Sequence, residues 1–247
     1  MFMHGKTNTQ NIDVVILCGG LGTRLRPKIN DRPKSLAPIG DWIFLDILIS
    51  FLAKHGIKRF ILSTGYMKDK IRDHIAQKYK NDNNLLFRFS EEEHPLGTGG
   101  ALKKALLLVE SFPCVVVNGD SFLDVDLPHF FSFHNQRGAL FSLALAPQPR
   151  PDGGQVHIDK NGKVTGFQEK TNTYGARFMN GGVYICERGA MDKMPEAEMF
   201  SLEYDLFPGL ASEGLLYGFT TESEVVDIGT PERLRAAQSQ LGPYFEV

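Results

Sequence analysis

Apolar residues in the first half of the chain alternate between two spacings. Short, largely apolar runs predict buried strands at 14–17, 60–62, 85–89 and 114–117. Between them, apolar residues recur at helical spacing over 44–52, 71–79 and 101–109. Helices that alternate with continuous apolar strands are typical of βαβ units, in which both faces of the sheet are covered. The pattern predicts an α/β fold with a Rossmann-like, doubly wound sheet that is mixed but mostly parallel.

The pattern changes at Pro147, where three prolines and two glycines fall within residues 147–154. Such a run interrupts helices and strands and predicts a hinge or an internal boundary. Beyond it, strands are expected at 155–158, 164–168 and 182–186, a strand pair at 215–219 and 224–228, and helices at 202–210 and 231–238. We therefore expect one domain over residues 1–247, with a first half at 11–146 and a smaller second half at 147–247.

Composition places the chain among ordinary globular proteins. It has 247 residues, 42% hydrophobic and 23% charged, and a net charge of −2, so it has no basic field that would attract nucleic acid or anionic lipid. Cys18, Cys114 and Cys186 form no C-x-x-C pair, which favours reduced, buried thiols. Because no apolar run is as long as a membrane span, we expect a cytoplasmic protein with no membrane partner.

A glycine-rich segment at 19–22 directly follows the first predicted strand. Glycines there let backbone N–H groups converge on an anion, because no Cβ blocks the approach. Five cations then fall within eleven residues, against the single acid Asp31; they are Arg24, Arg26, Lys28, Arg32 and Lys34. Open α/β sheets bind ligands at the carboxyl ends of their strands. The segment therefore predicts a binding site for a polyanion.

Neither of two common phosphate-loop motifs occurs. A Walker loop requires G-x-x-x-x-G-K-[ST], and a dinucleotide fingerprint requires G-x-G-x-x-G. The third glycine of that fingerprint is replaced by Leu25 after the segment 19–22 and by Leu102 after the segment 97–100. These differences weigh against a nicotinamide-dependent dehydrogenase and indicate a different nucleotide-binding loop.

Six motifs, in one order, resemble those of the sugar-1-phosphate nucleotidyltransferases. They are 19–27 with Pro33 and Lys34, 95–101, 118–120, 169–170, 180–184 and 227–231. The resemblance covers nearly the whole chain. It implies that a nucleoside triphosphate and a sugar 1-phosphate react, with Mg²⁺, to a nucleotide-sugar and pyrophosphate. It also implies a glycosyltransferase A-like fold, with nucleotide binding at 11–146 and sugar-phosphate binding at 147–247.

The resemblance also implies roles for individual residues. Those expected to bind the nucleotide are Leu17, Gly19, Gly20, Gly22, Thr23, Arg24, Lys34, Glu93, Pro95, Gly97, Thr98 and Gly99. Those expected to bind the sugar are Asn118, Gly119, Glu169, Lys170, Asn180 and Gly181. Those expected to act in catalysis are Arg24, Lys34, Asp120 and Lys170. Arg24 would hold the β and γ phosphates, Lys34 would neutralise the transferring phosphate, and Lys170 would hold the sugar phosphate.

Two aspartates are the candidate metal ligands. Asp120 and Asp227 each follow a predicted strand, so both carboxylates can project from the carboxyl edge of one sheet. Mg²⁺ in such sites takes one or two carboxylates together with phosphate oxygens. Each aspartate alone would be read as a turn or capping residue. Combined with the polyanion site, the pair predicts Mg²⁺ binding.

The identity of the base depends on the acids before Pro95. Guanine presents N1–H and N2–H₂ donors, for which a carboxylate is a suitable acceptor. Residues 91–93 are all glutamate, which favours GTP with Glu93 as the acceptor, although His94 stands directly before the proline, where guanylyltransferases of this family carry the acid. We expect GTP and D-glycero-α-D-manno-heptose 1-phosphate as substrates.

Two other functions are compatible with the sequence. One is a uridylyl- or thymidylyltransferase that acts on a hexose or amino-sugar 1-phosphate. The other is a nucleotide-sugar sensor without catalysis. The residues that argue against it are Arg24, Lys34, Asp120, Lys170 and Asp227. A homo-oligomer is also compatible with the sequence.

Overall fold

Strands and helices alternate along the chain in the computed structural model, which describes residues 11–20, 22, 30–147, 153–168 and 176–244. The strands are β1 (Asp13–Leu17), β2 (Pro38–Ile39), β3 (Trp42–Ile43), β4 (Arg59–Thr64), β5 (Leu86–Glu91), β6 (Cys114–Asn118), β7 (Ser121–Phe122), β8 (Phe141–Pro147), β9 (Gln155–Ile158), β10 (Val164–Gln168), β11 (Phe178–Cys186), β12 (Leu216–Thr220) and β13 (Val226–Asp227). The helices are α1 (Phe44–Lys54), α2 (Lys68–Lys78), α3 (Gly97–Leu106), α4 (Leu127–Arg137), α5 (Phe207–Glu213) and α6 (Pro231–Leu241).

Nine of the described strands form one mixed sheet. β1 lies between β6 and β4, parallel to both, and β5 continues the parallel part beyond β4. β11 runs antiparallel to β6 and β8, β12 lies parallel to β8, and the β9–β10 hairpin pairs with the start of β11. All of these strands except β10 and β11 therefore point the same way. The predicted α/β fold with a mixed, mostly parallel sheet is confirmed, and both halves of the chain contribute to the one sheet.

Both faces of the central strand are buried, as its continuous apolar run predicts. Val14 and Ile16 join the apolar cluster formed with α1, α2, α4 and α6, whereas Val15 joins the cluster formed with α3 and α5. All three side chains are fully buried, and each such burial stabilises the fold by ~2 kcal/mol. The carboxyl end of β1 is consequently held rigidly between two helical layers.

The cysteines agree with a further expectation. Cys18, Cys114 and Cys186 are buried free thiols, and burial raises the pKa of the Cys18 thiol to about 12. Within the described ranges, no helix combines the length and the apolarity that crossing a membrane requires.

One central strand, β8, was not predicted from the sequence. It contains no β-branched residue, and its large residues alternate with alanine and serine rather than with charged residues, so its composition does not indicate a strand. Its side chains are buried because the two apolar clusters cover its two faces, while β11 and β12 pair with its two edges. Tertiary pairing therefore determines the structure of this segment.

The predicted pairing of the segments 215–219 and 224–228 is wrong. β12 pairs with β8 instead, and Thr221 then donates from its backbone N–H to the Leu145 carbonyl oxygen at 2.9 Å, where the chain leaves the sheet. β13 pairs antiparallel with β7, with Asp227 opposite Ser121. Asp227 therefore belongs to a separate two-stranded sheet and does not project from the edge of the main sheet.

His134 is a buried titratable group beneath β8. The side chain is 1% exposed; its Nδ1 lies 2.8 Å from Ser142 Oγ and its Nε2 lies 3.4 Å from Glu187 Oε1. Burial lowers the pKa of His134 from 6.5 to about 4 and raises the pKa of Glu187. The imidazole is therefore buried in its neutral form.

We expect the protein to lose stability as the pH falls from 6.5 towards 4, because the unfolded chain then binds a proton at His134 that the folded chain does not. The loss over this window approaches about 3 kcal/mol. Urea unfolding of the wild type and of His134→Gln at several pH values measures it. The stability of the wild type relative to the variant should decrease on acidification, and a constant difference would contradict the assignment.

Candidate active site

A cavity of about 280 Å³ opens at the carboxyl ends of β1 and β6. We call it the first cavity. Seven residues predicted to bind the nucleotide line it: Leu17, Gly19, Gly20, Lys34, Pro95, Gly97 and Thr98. Asn118, Gly119 and Asp120 complete the wall on the side of β6. In the sheet, β4 lies on one side of β1 and β6 lies on the other, so the strand order reverses at β1. Open α/β sheets bind ligands at such points.

A second cavity, of about 420 Å³, adjoins the first. The residues shared by the two cavities are Lys34, Thr98, Asn118 and Asp120. The second cavity is also lined by residues from four later segments of the chain: Asn180, Gly182, Ser201, Glu203, Asp227 and Arg233. Two ligands bound in the two cavities would therefore meet at one shared wall.

Both predicted metal ligands, Asp120 and Asp227, line the second cavity. The β7–β13 ladder places Asp227 opposite the residue after Asp120, and the Ile228 N–H donates to the Asp120 carbonyl oxygen at 3.1 Å. The described residues contain no group of three or more potential ligands. A pair of carboxylates in the wall of an open cavity nevertheless fits Mg²⁺, which commonly completes its coordination with substrate phosphates and water.

Each of these carboxylates has a cation beside it. Lys34 Nζ lies 2.7 Å from Asp120 Oδ2, and Arg233 Nη1 lies 3.3 Å from Asp227 Oδ1. Asp227 Oδ1 also accepts the Gly229 N–H at 2.9 Å. In the first pair, the Lys34 side chain is 13% exposed and the Asp120 side chain is 46% exposed. The negative charge of each aspartate is thus balanced by a cation in the wall of the second cavity.

Gly119 permits the turn that carries Asp120 into the cavities. The Gly119 N–H donates to the Leu17 carbonyl oxygen at 3.0 Å. A Cβ at this position would lie 2.7 Å from the same oxygen and 3.0 Å from Cys18 Sγ. A larger residue would therefore separate β6 from β1 at the point where the site forms.

An irregularity in β11 directs Asn180 into the second cavity. The register shifts between Asn180 and Tyr184, and Gly182 has a φ of 75°, which favours glycine. Asn180 Oδ1 accepts the Gly182 N–H, and Asn180 Nδ2 donates to the Tyr184 hydroxyl at 2.9 Å. Gly181 lies against Leu123 and β8 and does not line either cavity. Gly182 occupies the cavity wall instead.

Close packing accounts for the glycines at the start of α3. The N–H groups of Gly99 and Gly100 both donate to the Phe200 carbonyl oxygen, at 2.9 and 3.3 Å. A Cβ on Gly99 would overlap the Phe200 ring, and a Cβ on Gly100 would overlap the Glu198 carbonyl oxygen. Gly99 therefore lies outside both cavities, and its N–H is occupied by the protein.

The acids before Pro95 are separated by burial. Glu93 is exposed and lines a neighbouring cavity of about 180 Å³ together with Tyr66 and His94. Glu92 is 7% exposed and lines the first cavity, and its Oε2 accepts the Leu96 N–H at 3.0 Å. Burial raises the pKa of Glu92. The buried acid is therefore Glu92, whereas the acid predicted to bind the base is the exposed Glu93.

Four predicted site residues, Thr23, Arg24, Glu169 and Lys170, lie outside the described residues. Gly22 is described, has a φ of 58°, and packs towards Lys34 Cβ, but it lines neither cavity. The roles that the resemblance implies for these five residues stay predictions.

Several cavity residues were not predicted from the sequence: Glu92, Gly182, Ser201, Glu203 and Arg233. A serine followed by acids is typical of a helix start, and an arginine in an amphipathic helix is typical of a solvated face. Gly182 and Glu92 carried local signals, because Gly182 lies within the recognised motif at 180–184 and Glu92 lies within the glutamate run at 91–93.

Comparison with known proteins bears on this site. A family model described as Nucleotidyl transferase matches residues 13–242. D-glycero-alpha-D-manno-heptose 1-phosphate guanylyltransferase of Aneurinibacillus thermoaerophilus is 35% identical over 95% of this chain and 100% of its own length. Mannose-1-phosphate guanylyltransferase of Mycobacterium tuberculosis is 34% identical over 91% of this chain and 63% of its own length.

The fold has matching solved structures. The crystal structure of HddC from Yersinia pseudotuberculosis superposes with a TM-score of 0.81 and 32% sequence identity, and covers 93% of this chain and 99% of that chain. The structure of the same protein complexed with GMP-PN gives a TM-score of 0.79 with the same identity and coverage.

The fold is that of α/β nucleotidyltransferases, and its two adjoining cavities share one wall. The chain belongs to the nucleotidyl transferase family. The predicted family and the predicted enzyme class, the sugar-1-phosphate nucleotidyltransferases, are confirmed.

The packing of α3 gives a stability prediction. A glycine-to-alanine change inside a helix normally stabilises by ~0.5–1 kcal/mol. We expect Gly209→Ala in α5 to do so, because nothing lies within 4 Å of the new Cβ. Gly100→Ala should instead destabilise by about 1–3 kcal/mol, because a backbone carbonyl blocks the methyl group. Urea unfolding compares the two variants, and equal stabilities would contradict the packing argument.

Proposed function

We propose that the enzyme transfers a guanylyl group from GTP to D-glycero-α-D-manno-heptose 1-phosphate and releases pyrophosphate. The observation that carries this proposal is the wall shared by the two cavities, which contains Lys34, Thr98, Asn118 and Asp120. The relatives named as guanylyltransferases, and the HddC structure complexed with GMP-PN, support guanine as the base. The heptose-specific relative supports the acceptor, since it matches this chain over its whole length.

The reaction joins two anions. An oxygen of the sugar 1-phosphate forms a bond to the α-phosphorus of GTP, and the bond from that phosphorus to the bridging oxygen of the β-phosphate breaks, so that pyrophosphate leaves. The site must offset like-charge repulsion and align the attacking and leaving oxygens. The Lys34 ammonium lies at the shared wall, where both phosphates would meet. Lys34 therefore neutralises charge on the transferring group and orients it.

Asp120 and Asp227 are the residues that would hold Mg²⁺ in this site. When bound, the metal ion offsets the phosphate charge and orients the phosphate oxygens. Lys34 and Arg233 lie against these two carboxylates. Were Mg²⁺ held by these carboxylates, Lys34 and Arg233 would be available to bind substrate phosphates.

The cavity beside Glu93 is the candidate site for the base. It shares Gly19, Glu92 and Pro95 with the first cavity, so a nucleotide can extend from one into the other. The exposed Glu93 carboxylate is an acceptor suited to the N1–H and N2–H₂ donors of guanine. Glu92 also lines this cavity, but it is 7% exposed and its Oε2 accepts the Leu96 N–H. His94 Nε2 lies 3.3 Å from Glu198 Oε1, so the histidine does not pair with Glu93. Glu93 is therefore the exposed acid of this cavity and the candidate acceptor for the base.

Mannose 1-phosphate is the second candidate acceptor. The observation that favours it is the mannose-specific relative, which is nearly as similar to this chain as the heptose-specific one. That relative is longer, and the chain spans 63% of its length. The heptose 1-phosphate is therefore the preferred proposal.

A substrate matrix tests the function directly. Pyrophosphate release is measured for GTP, UTP and dTTP, each with the heptose, mannose and glucose 1-phosphates. We expect the highest kcat/KM for GTP with the heptose 1-phosphate. A preference for UTP or dTTP would refute guanine as the base, and a preference for mannose 1-phosphate would refute the heptose. GTP binding without any pyrophosphate release would instead indicate a sensor.

Asp120→Asn tests the carboxylate at the shared wall. Because the amide carries no charge, we expect pyrophosphate release to fall by roughly a hundredfold or more while the thermal unfolding temperature stays close to that of the wild type. Asp192→Asn, an exposed residue remote from both cavities, makes the same chemical change and should leave turnover unaltered. Near-normal turnover by Asp120→Asn would exclude a role for Asp120 in metal binding.

A further inference from the structure

The carboxylate of Glu203 is held in the wall of the second cavity by two hydroxyl groups. Glu203 lies in a π-helical turn, Leu202–Leu206, that leads into α5. Its Oε2 accepts hydrogen bonds from Thr98 Oγ1 at 2.6 Å and from Ser201 Oγ at 2.7 Å. Both donors lie on the cavity wall beside Glu203. One carboxylate oxygen is therefore fixed by the protein.

The direction of these hydrogen bonds is determined by backbone groups. The Leu202 N–H donates to Thr98 Oγ1 at 2.9 Å, and the N–H groups of Glu203 and Tyr204 donate to Ser201 Oγ at 3.1 and 3.3 Å. Each hydroxyl oxygen already accepts a hydrogen bond, and each directs its own proton to Glu203. Oε2 is consequently an acceptor in both contacts.

The other oxygen of Glu203, Oε1, has capacity for a ligand. Within the described ranges, no group donates a hydrogen bond to Oε1, and no cation lies within ion-pair distance of Glu203. Asp120 and Asp227 differ in this respect, because each has a cation beside it. An uncompensated carboxylate repels a phosphate but accepts hydrogen bonds from neutral hydroxyls.

We propose that Glu203 is a sugar-binding residue whose Oε1 accepts a hydrogen bond from a ring or side-chain hydroxyl of the sugar 1-phosphate. This inference rests on the proposed function and identifies a residue of its acceptor site. The charges also orient the acceptor: its phosphate faces Lys34, and its hydroxyl groups face Glu203. Asn180 lines the same cavity and offers a second polar contact to the sugar.

The alternative source of hydroxyl groups is the ribose of the nucleotide. Glu203 and Ser201 line the second cavity and are absent from the lining of the first. Thr98 lines both cavities, so its hydroxyl group connects the wall of the first cavity to Glu203 in the second. The position of Glu203 therefore favours the sugar over the ribose.

Glu203→Gln is the informative substitution, because the two hydroxyl donors select the orientation of the new amide. Thr98 and Ser201 require an acceptor, so the amide oxygen takes the place of Oε2 and the NH₂ group takes the place of Oε1. The substitution thus replaces the acceptor Oε1 by an NH₂ donor without changing the shape of the side chain. We expect KM for the preferred sugar 1-phosphate to rise at least about tenfold, with KM for GTP changed less than about twofold.

Deoxy analogues supply a readout that a purely structural role would not affect. The wild type and Glu203→Gln are compared on monodeoxy derivatives of the preferred sugar 1-phosphate and on 2′- and 3′-deoxyGTP. Removal of one particular sugar hydroxyl should lower kcat/KM of the wild type about tenfold or more. The same removal should lower kcat/KM of the variant less than about twofold. Glu213→Gln, an exposed acid of α5 paired with Lys193, is the matched control and should behave as the wild type.

Three results would overturn the assignment. Equal sensitivity of both proteins to every sugar hydroxyl would show that Glu203 does not contact the sugar. If Glu203→Gln instead lost sensitivity to a ribose hydroxyl, Glu203 would contact the nucleotide and not the sugar. If the variant showed a similar rise in KM for GTP and for the sugar 1-phosphate, together with a lower unfolding temperature, Glu203 would only stabilise the fold.

Failure of the proposed function has a different signature. The wild type would then release no pyrophosphate with any sugar 1-phosphate in the substrate matrix. Calorimetric titration of the wild type and Glu203→Gln with the heptose and mannose 1-phosphates still decides the role of Glu203. Weaker binding to the variant would support the inference, and equal binding or none to either protein would refute it.

Discussion

The short ladder between β7 and β13 is the contact on which the site depends. It joins two segments that are far apart in the chain and places Asp227 next to the turn that carries Asp120. The ladder is only two residues long, and it is stabilised by its apolar side chains, since Phe122, Val226 and Ile228 are all buried in the main core. Two carboxylates in one cavity repel each other. Burial of these apolar side chains offsets that repulsion.

The packing of α3 against the segment before α5 makes a second essential connection. Gly99 and Gly100 have no side chains, so the Phe200 backbone and ring approach the first turn of the helix closely. That approach brings Thr98 within hydrogen-bond distance of Glu203. These glycines therefore act through helix packing, although the same residues in sequence resemble an anion-binding loop. The close contact builds part of the wall that the two cavities share.

Charge is distributed so that the site can receive two anions in a protein with a net charge of −2. Lys34 and Arg233 balance Asp120 and Asp227, and Glu203 is the acid of the second cavity that has no cation beside it in the described structure. Phosphates are therefore attracted to one side of the cavity and hydroxyl groups to the other. For the proposed acceptor, a sugar 1-phosphate, the same arrangement would favour one orientation.

Local pattern was sufficient for β1, β4, β5 and β6, for most helices and for the first cavity. Residues that directly follow a buried strand must lie at its carboxyl end. Only tertiary structure decided the position of β8 in the sheet and the partner of β13, since neither segment has a periodicity that identifies its neighbour. It also decided that Glu92 is buried beside Glu93, that Gly181 faces the core, and that Glu203 meets Thr98. The directions of these side chains follow from contacts between distant segments, and such contacts leave no signal in the adjacent residues.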